Sequence, residues 1–487
     1  MKDQPPSIIS RRRFIRQAAC AALGTGALSA AIGDLRFINA AIAQTAITDY
    51  KALVCVFLAG GNDSNNLIIP IIPAEHADYA AIRTDALAIP ISGAPVVALP
   101  LSPLNSDNHS YGLHPACPEL ATLFHENKLA VLFNTGTLVY PMTRAQYRAG
   151  VLQQPPQLFS HSDQVTQWQT SVPDRPPLTG WGGRCADLLA SVQPNAPISL
   201  SVTVAGANTF EVGNIVSQYS VTTSGAINLS SVSGARLQSL TNMLALPNPN
   251  LQVRAYADVT QHAIQTGGLL NAAIAATSDP LFWTVPFATT VTSPTGGTPF
   301  GSSLASQLRM IARLIEAGSR SAASGGFGMR RQIFFCQVGG YDTHAGQTPG
   351  PGQTVVGSHA NLLAELSQGL YSFQRAMEQL GLSNNVATFT ASDFGRTLPC
   401  NGNGSDHGWG GHHLIMGGAV NGRRTYGTFP TLAVNGPDDT STGRWIPTTA
   451  IDQYFATLAT WFGVDNGNLA TAFPNLDRFS SANLGFL

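Results

Sequence analysis

Eight side chains in the 487-residue sequence are of types and spacings that could do chemistry: Asp63, Asp342, His344, Asp393, Asp406, His407, His412 and His413. Each lies just after an apolar run or in and beside the glycine-rich loop at 401–411. Ionised carboxylates and neutral imidazoles ligate zinc and harder divalent ions, so such groups converging from several strand ends make a metal site. Two ions a few ångströms apart would clamp an in-line displacement at phosphorus or sulfur. Each residue also has a purely structural use. Gly-Asn-Asp at 61–63 and Ser-Asp at 392–393 are common turn and cap sequences, Asp342-Thr-His344 suits an Asx turn, and His412 and His413 suit hydrogen-bonded core positions. The recurrence of the pattern at several strand ends favours the site.

A nucleophile is less well marked. Ser160 opens a helix running to about Thr170, where it is the expected N-cap, with Asp163 completing a capping box. A helix start also receives anions through its free N–H groups, so Ser160 is either a cap or a cap that doubles as a metal-activated nucleophile. Ser162, Thr135 and Thr137 are its rivals. Arg396 and Arg184 are of the type that holds an anionic substrate bidentately, although bracing a loop is the commoner use. The segment 350–358 lacks the lysine of a phosphate loop, and the sequence contains no Gly-x-Ser-x-Gly elbow, HExxH or paired CxxC.

The elements that must position these residues are legible. Continuous apolar runs at 51–58, 129–134, 332–338 and 386–390 read as strands buried on both faces. Helical spacing at 303–317 and 361–380 places helices between them. The expected fold class is therefore α/β, a mostly parallel sheet covered by helices on both faces, with ligands bound beyond the carboxyl ends of the strands. Residues 190–300 differ: Ser/Thr/Val/Gly-rich alternation at 196–234 and a helix near 258–276 read as an insertion or subdomain, a lid over the sheet end being one arrangement.

Residues 1–43 read as an address. Ser-Arg-Arg-Arg-Phe-Ile-Arg at 10–16 matches the twin-arginine export pattern, an Ala/Gly-rich apolar stretch follows at 18–32, and Ala-Ile-Ala at 41–43 is a small-x-small cleavage site. The expected mature domain is 44–487, located in the periplasm or secreted, with the translocase as its partner during export. Loss of the leader removes six bases and two acids and leaves 20 bases against 25 acids. With charged residues at 11%, under half the usual ~25%, no basic field exists to hold nucleic acid by its phosphates. Past the leader no apolar stretch reaches the ~18–20 residues of a membrane span. Cys55, Cys117, Cys185, Cys336 and Cys400 remain after the leader; an oxidising compartment permits one or two disulfides, while Cys55 and Cys336, inside apolar runs, suit packing as small hydrophobes.

At these motifs the chain resembles a bacterial family of twin-arginine-exported proteins known only as a domain of unknown function and related to the alkaline phosphatase and sulfatase superfamily. The matching segments are 57–70 (FLAGGNDSNNLIIP), 159–164 (FSHSDQ) with Trp168, 179–184 (TGWGGR), 339–344 (GGYDTH), 392–397 (SDFGRT), 406–408 (DHG) and 417–419 (GGA). The resemblance implies two metal ions above the end of a parallel sheet and a Ser, Thr or modified Cys nucleophile. It casts Asp63 as the first-strand metal aspartate, Asp342 and His344 as an Asp…His pair, and Asp393 as the aspartate of a late Asp-His pair. Phe394 follows Asp393, so a histidine is missing from its usual place; His407 would replace it, His412 or His413 would stand for the last histidine, and Ser160 for the nucleophile.

Three functions follow as expectations. The first is an exported hydrolase of phosphate or sulfate esters using zinc, manganese or calcium, its substrate a small anionic ester or glycan. In it Asp63, Asp342, His344, Asp393, His407 and His413 are ligands, Ser160 attacks, and Arg396 and Arg184 bind substrate. The second is a non-catalytic periplasmic binding or assembly protein that keeps the fold. The third, a metal-free Ser/His/Asp ester hydrolase, requires Ser160 to hydrogen-bond a histidine oriented by an acid.

Overall fold

Every residue of the first strand from Ala52 to Leu58 is buried, as an apolar run without alternation requires when a sheet is covered on both sides. The computed structural model describes residues 47–487 apart from 194, 228, 230 and 279–282. The expected export segment at 1–43 lies outside the described residues.

The main sheet has ten strands: β1 (Lys51–Leu58), β2 (Leu129–Gly136), β3 (Ser201–Thr203), β4 (Tyr219–Thr222), β5 (Gly225–Ala226), β6 (Arg331–Val338), β7 (Val386–Ser392), β8 (Gly411–Met416), β9 (Thr425–Tyr426) and β10 (Thr449–Ala450). Their order is β9-β2-β8-β7-β1-β6-β3-β4-β5, with β10 also beside β2. The centre is parallel, and β8 and β5 run antiparallel to their neighbours. In the middle of the sheet Leu58 pairs with both Val338 and Ser392, so β1, β6 and β7 end at one level. That shared level is why loops far apart in sequence meet.

The principal helices are α1 (Pro73–Leu87), α2 (Pro118–His125), α3 (His161–Thr170), α4 (Trp181–Leu189), α5 (Leu251–Ala275), α6 (Ser303–Ser319), α7 (Ser358–Gln379) and α8 (Ile451–Phe462). On one face Val54 and Val56 of β1 share a core cluster with Leu308 and Ile311 of α6, Leu366 and Phe373 of α7, and Leu120 of α2. On the other face Trp181 of α4 stacks on Phe455 of α8 at 4.4 Å and meets Phe389 of β7 at 5.7 Å. The sheet is thus mostly parallel with helices on both faces, as the apolar runs require.

Within 190–300, β3, β4 and β5 extend the edge of the main sheet, and α5 covers the helical stretch expected near 258–276. Cys55, Cys117, Cys185, Cys336 and Cys400 are all free thiols. The first four are buried, and burial pushes the Cys185 thiol up to about 12. Among the described residues no helix is long and apolar enough to cross a membrane.

Candidate metal centre

The loop after β1 and the loop after β6 touch backbone to backbone. A Cβ on Gly60, whose φ is +117°, would lie 2.4 Å from the Asp342 nitrogen, so only glycine allows the approach that sets Asp342 at the sheet end. Asp393 follows β7 directly; its Oδ1 accepts the Gly60 N–H at 3.0 Å. Beyond it the chain forms a hairpin of Arg396–Cys400 and Ser405–His407 in which Arg396 pairs with His407. The hairpin turn presses on the β6 loop at Gly404, where a Cβ would meet the Thr343 and His344 carbonyls at 2.4 and 2.3 Å. The last contributor is α3, anchored by Trp168 against His413 at 4.7 Å and Phe455 at 5.9 Å. Its first residue, His161, is carried over the strand ends.

These elements bring four side chains together. His161 Nε2 lies 3.4 Å from Asp342 Oδ2; His344 Nε2 and His407 Nε2 each lie 3.3 Å from Asp342 Oδ1 and 2.7 Å from one another. His161, Asp342 and His407 each offer a ligand atom within 4.8 Å of the others. The cluster faces water: the His161, Asp342 and His344 side chains are 37%, 46% and 44% exposed, enough for a solute to reach them.

The other ring nitrogen of each histidine is engaged away from the centre. His161 Nδ1 donates to Asp393 Oδ2 at 2.7 Å, His407 Nδ1 to the Phe159 carbonyl at 2.7 Å, and His344 Nδ1 to Asp406 Oδ1 at 3.2 Å. Oxygen partners that only accept fix the Nδ1–H tautomer and leave Nε2 as a lone pair. This is the outer arrangement of metal-binding histidines, and the donor set of imidazole nitrogen and carboxylate oxygen fits a divalent cation. Arg396, buried below, donates to Asp342 Oδ1. Partial burial pushes the Asp342 carboxyl up, but Arg396, His161 and His344 together hold it below the usual carboxylate range. Burial holds the His407 imidazolium pKa down, reinforced by Arg396 and the other two imidazoles and opposed by the Phe159 carbonyl.

Of the residues singled out in the sequence, Asp342, His344 and His407 belong to this cluster, with Asp393 and Asp406 each one hydrogen bond behind it. Asp63 stands elsewhere, fully buried with Oδ1 on Arg83 at 2.5 Å and Oδ2 on Gln347 at 2.5 Å. His413 is buried against Trp168 with Nδ1 3.4 Å from Thr390 Oγ1, and His412 Nδ1 accepts the Asn134 N–H at 3.1 Å; burial pushes both imidazoles down to about 3. Arg396 is saturated by the carbonyls of Gly60, Gly61, Tyr341 and Ser405 besides Asp342, and Arg184 by those of Thr170, Thr179 and Ala472. Both brace loops, and neither keeps donors for an anion.

Ser160 sits at the N-cap of α3, but its side chain accepts no cap hydrogen bond. Its Oγ donates to Asp163 Oδ2 at 2.7 Å, so the expected capping box is not formed. No histidine bonds its hydroxyl among the described residues, which removes the geometry a metal-free triad requires. Of its rivals, Thr135 and Thr137 are buried, bonded to the Phe133 carbonyl and to Gln164.

Two residues escaped sequence reasoning. His161 lies inside the 159–164 segment, and a histidine at the first position of a helix carrying a family motif was the available signal. Arg444 had none. Its guanidinium lies 4.1 Å over the Phe159 ring and its Nε donates to the His407 carbonyl at 2.8 Å, while its two terminal nitrogens bond nothing among the described residues.

The fold and site together define an α/β protein with a histidine–carboxylate cluster beyond the carboxyl edge of its sheet. Residues 50–473 match the family described as protein of unknown function (DUF1501), and the chain belongs to that family. Among solved structures it is similar to Ps i-CgsB in complex with k-i-k-neocarrahexaose, at 9% identity over 89% of this chain and 77% of that one, TM-score 0.33. It is similar to the PsFucS1 sulfatase from Pseudoalteromonas sp. at 8% identity over 89% and 72%, TM-score 0.30. It is similar to a mutant of alkaline phosphatase PafA at 13% identity over 72% and 64%, TM-score 0.22. None of the curated proteins compared matches the chain. At such identities and scores the chemistry has to be read from the residues themselves.

Proposed function

We propose that the protein is an exported, metal-dependent hydrolase of phosphate or sulfate esters. The observation that carries this reading is the convergence of His161, Asp342 and His407, ligand atoms within 4.8 Å of one another, on the solvent-facing end of a parallel sheet. A divalent ion held there would supply Lewis-acid polarisation of an ester oxygen. Asp393 and the Phe159 carbonyl hold His161 and His407 in the tautomer that offers Nε2. Ser160 lies between Phe159 and His161, both tied to the cluster, and Asp163 Oδ2 is placed to draw its proton. Attack by Ser160 Oγ, its proton passing to Asp163, forms a bond to phosphorus or sulfur and breaks the bond to the alcohol oxygen, which leaves as the alcohol on taking that proton. Water then breaks the bond to Ser160 Oγ, returns a proton to the serine and frees phosphate or sulfate. The two open terminal nitrogens of Arg444 are suited to the anionic group. The substrate is a small anionic ester or a glycan carrying one. Export by the twin-arginine translocase and residence in the periplasm or beyond it rest on the residues at 10–16 and 41–43.

The test is hydrolysis of p-nitrophenyl phosphate and p-nitrophenyl sulfate by metal-loaded protein beside Ser160→Ala and Asp342→Ala. Turnover of one ester, lost in both variants while they remain folded, is the expected result. An inert wild type, or undiminished turnover in Asp342→Ala, would overturn the reading and leave a binding or assembly role.

A further inference from the structure

The cluster shows more than nearness. With each Nδ1 donating to an oxygen, the Nε2 atoms of His161, His344 and His407 are lone pairs in the neutral rings. All three approach the Asp342 carboxylate, those of His161 and His407 within 4.8 Å of one another and of Asp342, and that of His344 beside His407. The His344 and His407 nitrogens face each other at 2.7 Å, a hydrogen-bond distance at which neither neutral ring has a proton to give. A ring of acceptors is mutually repulsive unless a proton or a metal cation stands among them, and a divalent cation satisfies all of them at once. Arg396 meets part of that demand on Asp342 Oδ1, and among the described residues no cationic or donor group meets it at the imidazoles.

We infer that the centre holds a single divalent ion of the zinc class, ligated by His161, His344, His407 and Asp342, with Asp393 and Asp406 as positioning residues that orient His161 and His344 from outside. This deepens the hydrolase reading. It departs from the two-ion arrangement that the sequence resemblance implies, because Asp63 is paired internally with Arg83 and hydrogen-bonded by Gln347, Asp393 faces a ring nitrogen, and His413 is buried beside Trp168. Three imidazoles to one carboxylate also select the metal. Nitrogen-rich sets favour zinc, cobalt, nickel and copper, whereas calcium and magnesium take oxygen. Calcium therefore drops from the ions expected of the sequence.

The test is equilibrium binding of zinc chloride and calcium chloride to the full mature chain, read by calorimetry and by metal analysis after dialysis, with circular dichroism as the folding control. One zinc per chain is expected, undisturbed by calcium in about tenfold excess. His161→Ala and His344→Ala abolish stoichiometric binding. Asp393→Asn and Asp406→Asn keep one ion but weaken it by roughly 10–100-fold. Should an alanine variant misfold, His344→Gln and Asp406→Asn change side chains that are about half exposed and serve in its place. Two ions per chain, a preference for calcium, or unchanged zinc affinity without His344 would each overturn the inference. One zinc without ester turnover would overturn the hydrolase reading and leave this centre standing; turnover with two ions would do the reverse.

Discussion

Asp63 and Asp342 begin from nearly the same local sequence, a buried strand running into Gly-Gly and an acid, and they end in opposite states. Asp63 is sealed, with its own and the Arg83 side chain both 0% exposed. Burial by itself would raise its carboxyl, but Arg83, His359 and Gln347 hold it below the usual range, and the nearby His359 and His114 rings are pushed down to about 4 and 3 by their own burial. Asp342 is 46% exposed and shares its oxygens among three imidazoles and Arg396. What separates them is the neighbour supplied from elsewhere. Helix α1 delivers Arg83 to one, while α3 and the Ser405–His407 strand deliver histidines to the other. A closed charge pair braces the loops; an open set of lone pairs is free to bind.

The largest effect expected from breaking this contrast is on the sealed side. Asp63→Ala strands the Arg83 guanidinium, whose Nε and Nη1 already lack partners among the described residues, and should cost about 3–5 kcal/mol in urea unfolding. A change near zero would show that the pair carries no stability. On the open side the effect passes through the ligand: zinc at about a hundred times its Kd should raise wild-type stability by about 2.7 kcal/mol and leave Asp342→Ala unmoved. Equal stabilisation of both would place the ion elsewhere.

If Arg444 holds the anion of the proposed ester substrate, Arg444→Ala removes a charge-assisted contact and should raise KM roughly tenfold with little change in kcat. An unchanged KM would return Arg444 to a packing role on Phe159. The smallest effect is the stability of the Asp342→Ala apoprotein, expected to stay within about 1 kcal/mol of wild type because Asp342 is half exposed and the buried Arg396 keeps four backbone carbonyls. Acid should also tell the two regions apart. The folded Asp63 carboxyl lies below its unfolded value, so its contribution is present above about pH 4 and disappears as pH falls through the lower folded value. Asp63→Asn should flatten that part of the pH–stability curve; an unaltered curve would assign acid sensitivity to other carboxylates.

The strands were legible because burial on both faces needs unbroken apolar runs, and the helices because their apolar spacing repeats with the helical turn. The helix expected at 361–380 is Ser358–Gln379, and the strand expected at 332–338 is Arg331–Val338. In the candidate site, Asp342, His344 and His407 stood out because acids and histidines after strand ends are few in a weakly charged chain. His161 and Arg444 did not, since a histidine opening a helix and an arginine in a loop are ordinary locally. Their significance comes from partners 181 and 37 residues away, Asp342 and the His407 carbonyl.

Local patterns of apolar residues and turns set the layered α/β architecture and the acidic loops that follow its strands. The tertiary structure decided which acids are open and which are sealed, which ring nitrogen each histidine turns inward, and which arginines keep free donors. Those are properties of distance and burial between segments that only the folded chain brings together. They decide the chemistry because a charge is reactive or merely structural according to its neighbours.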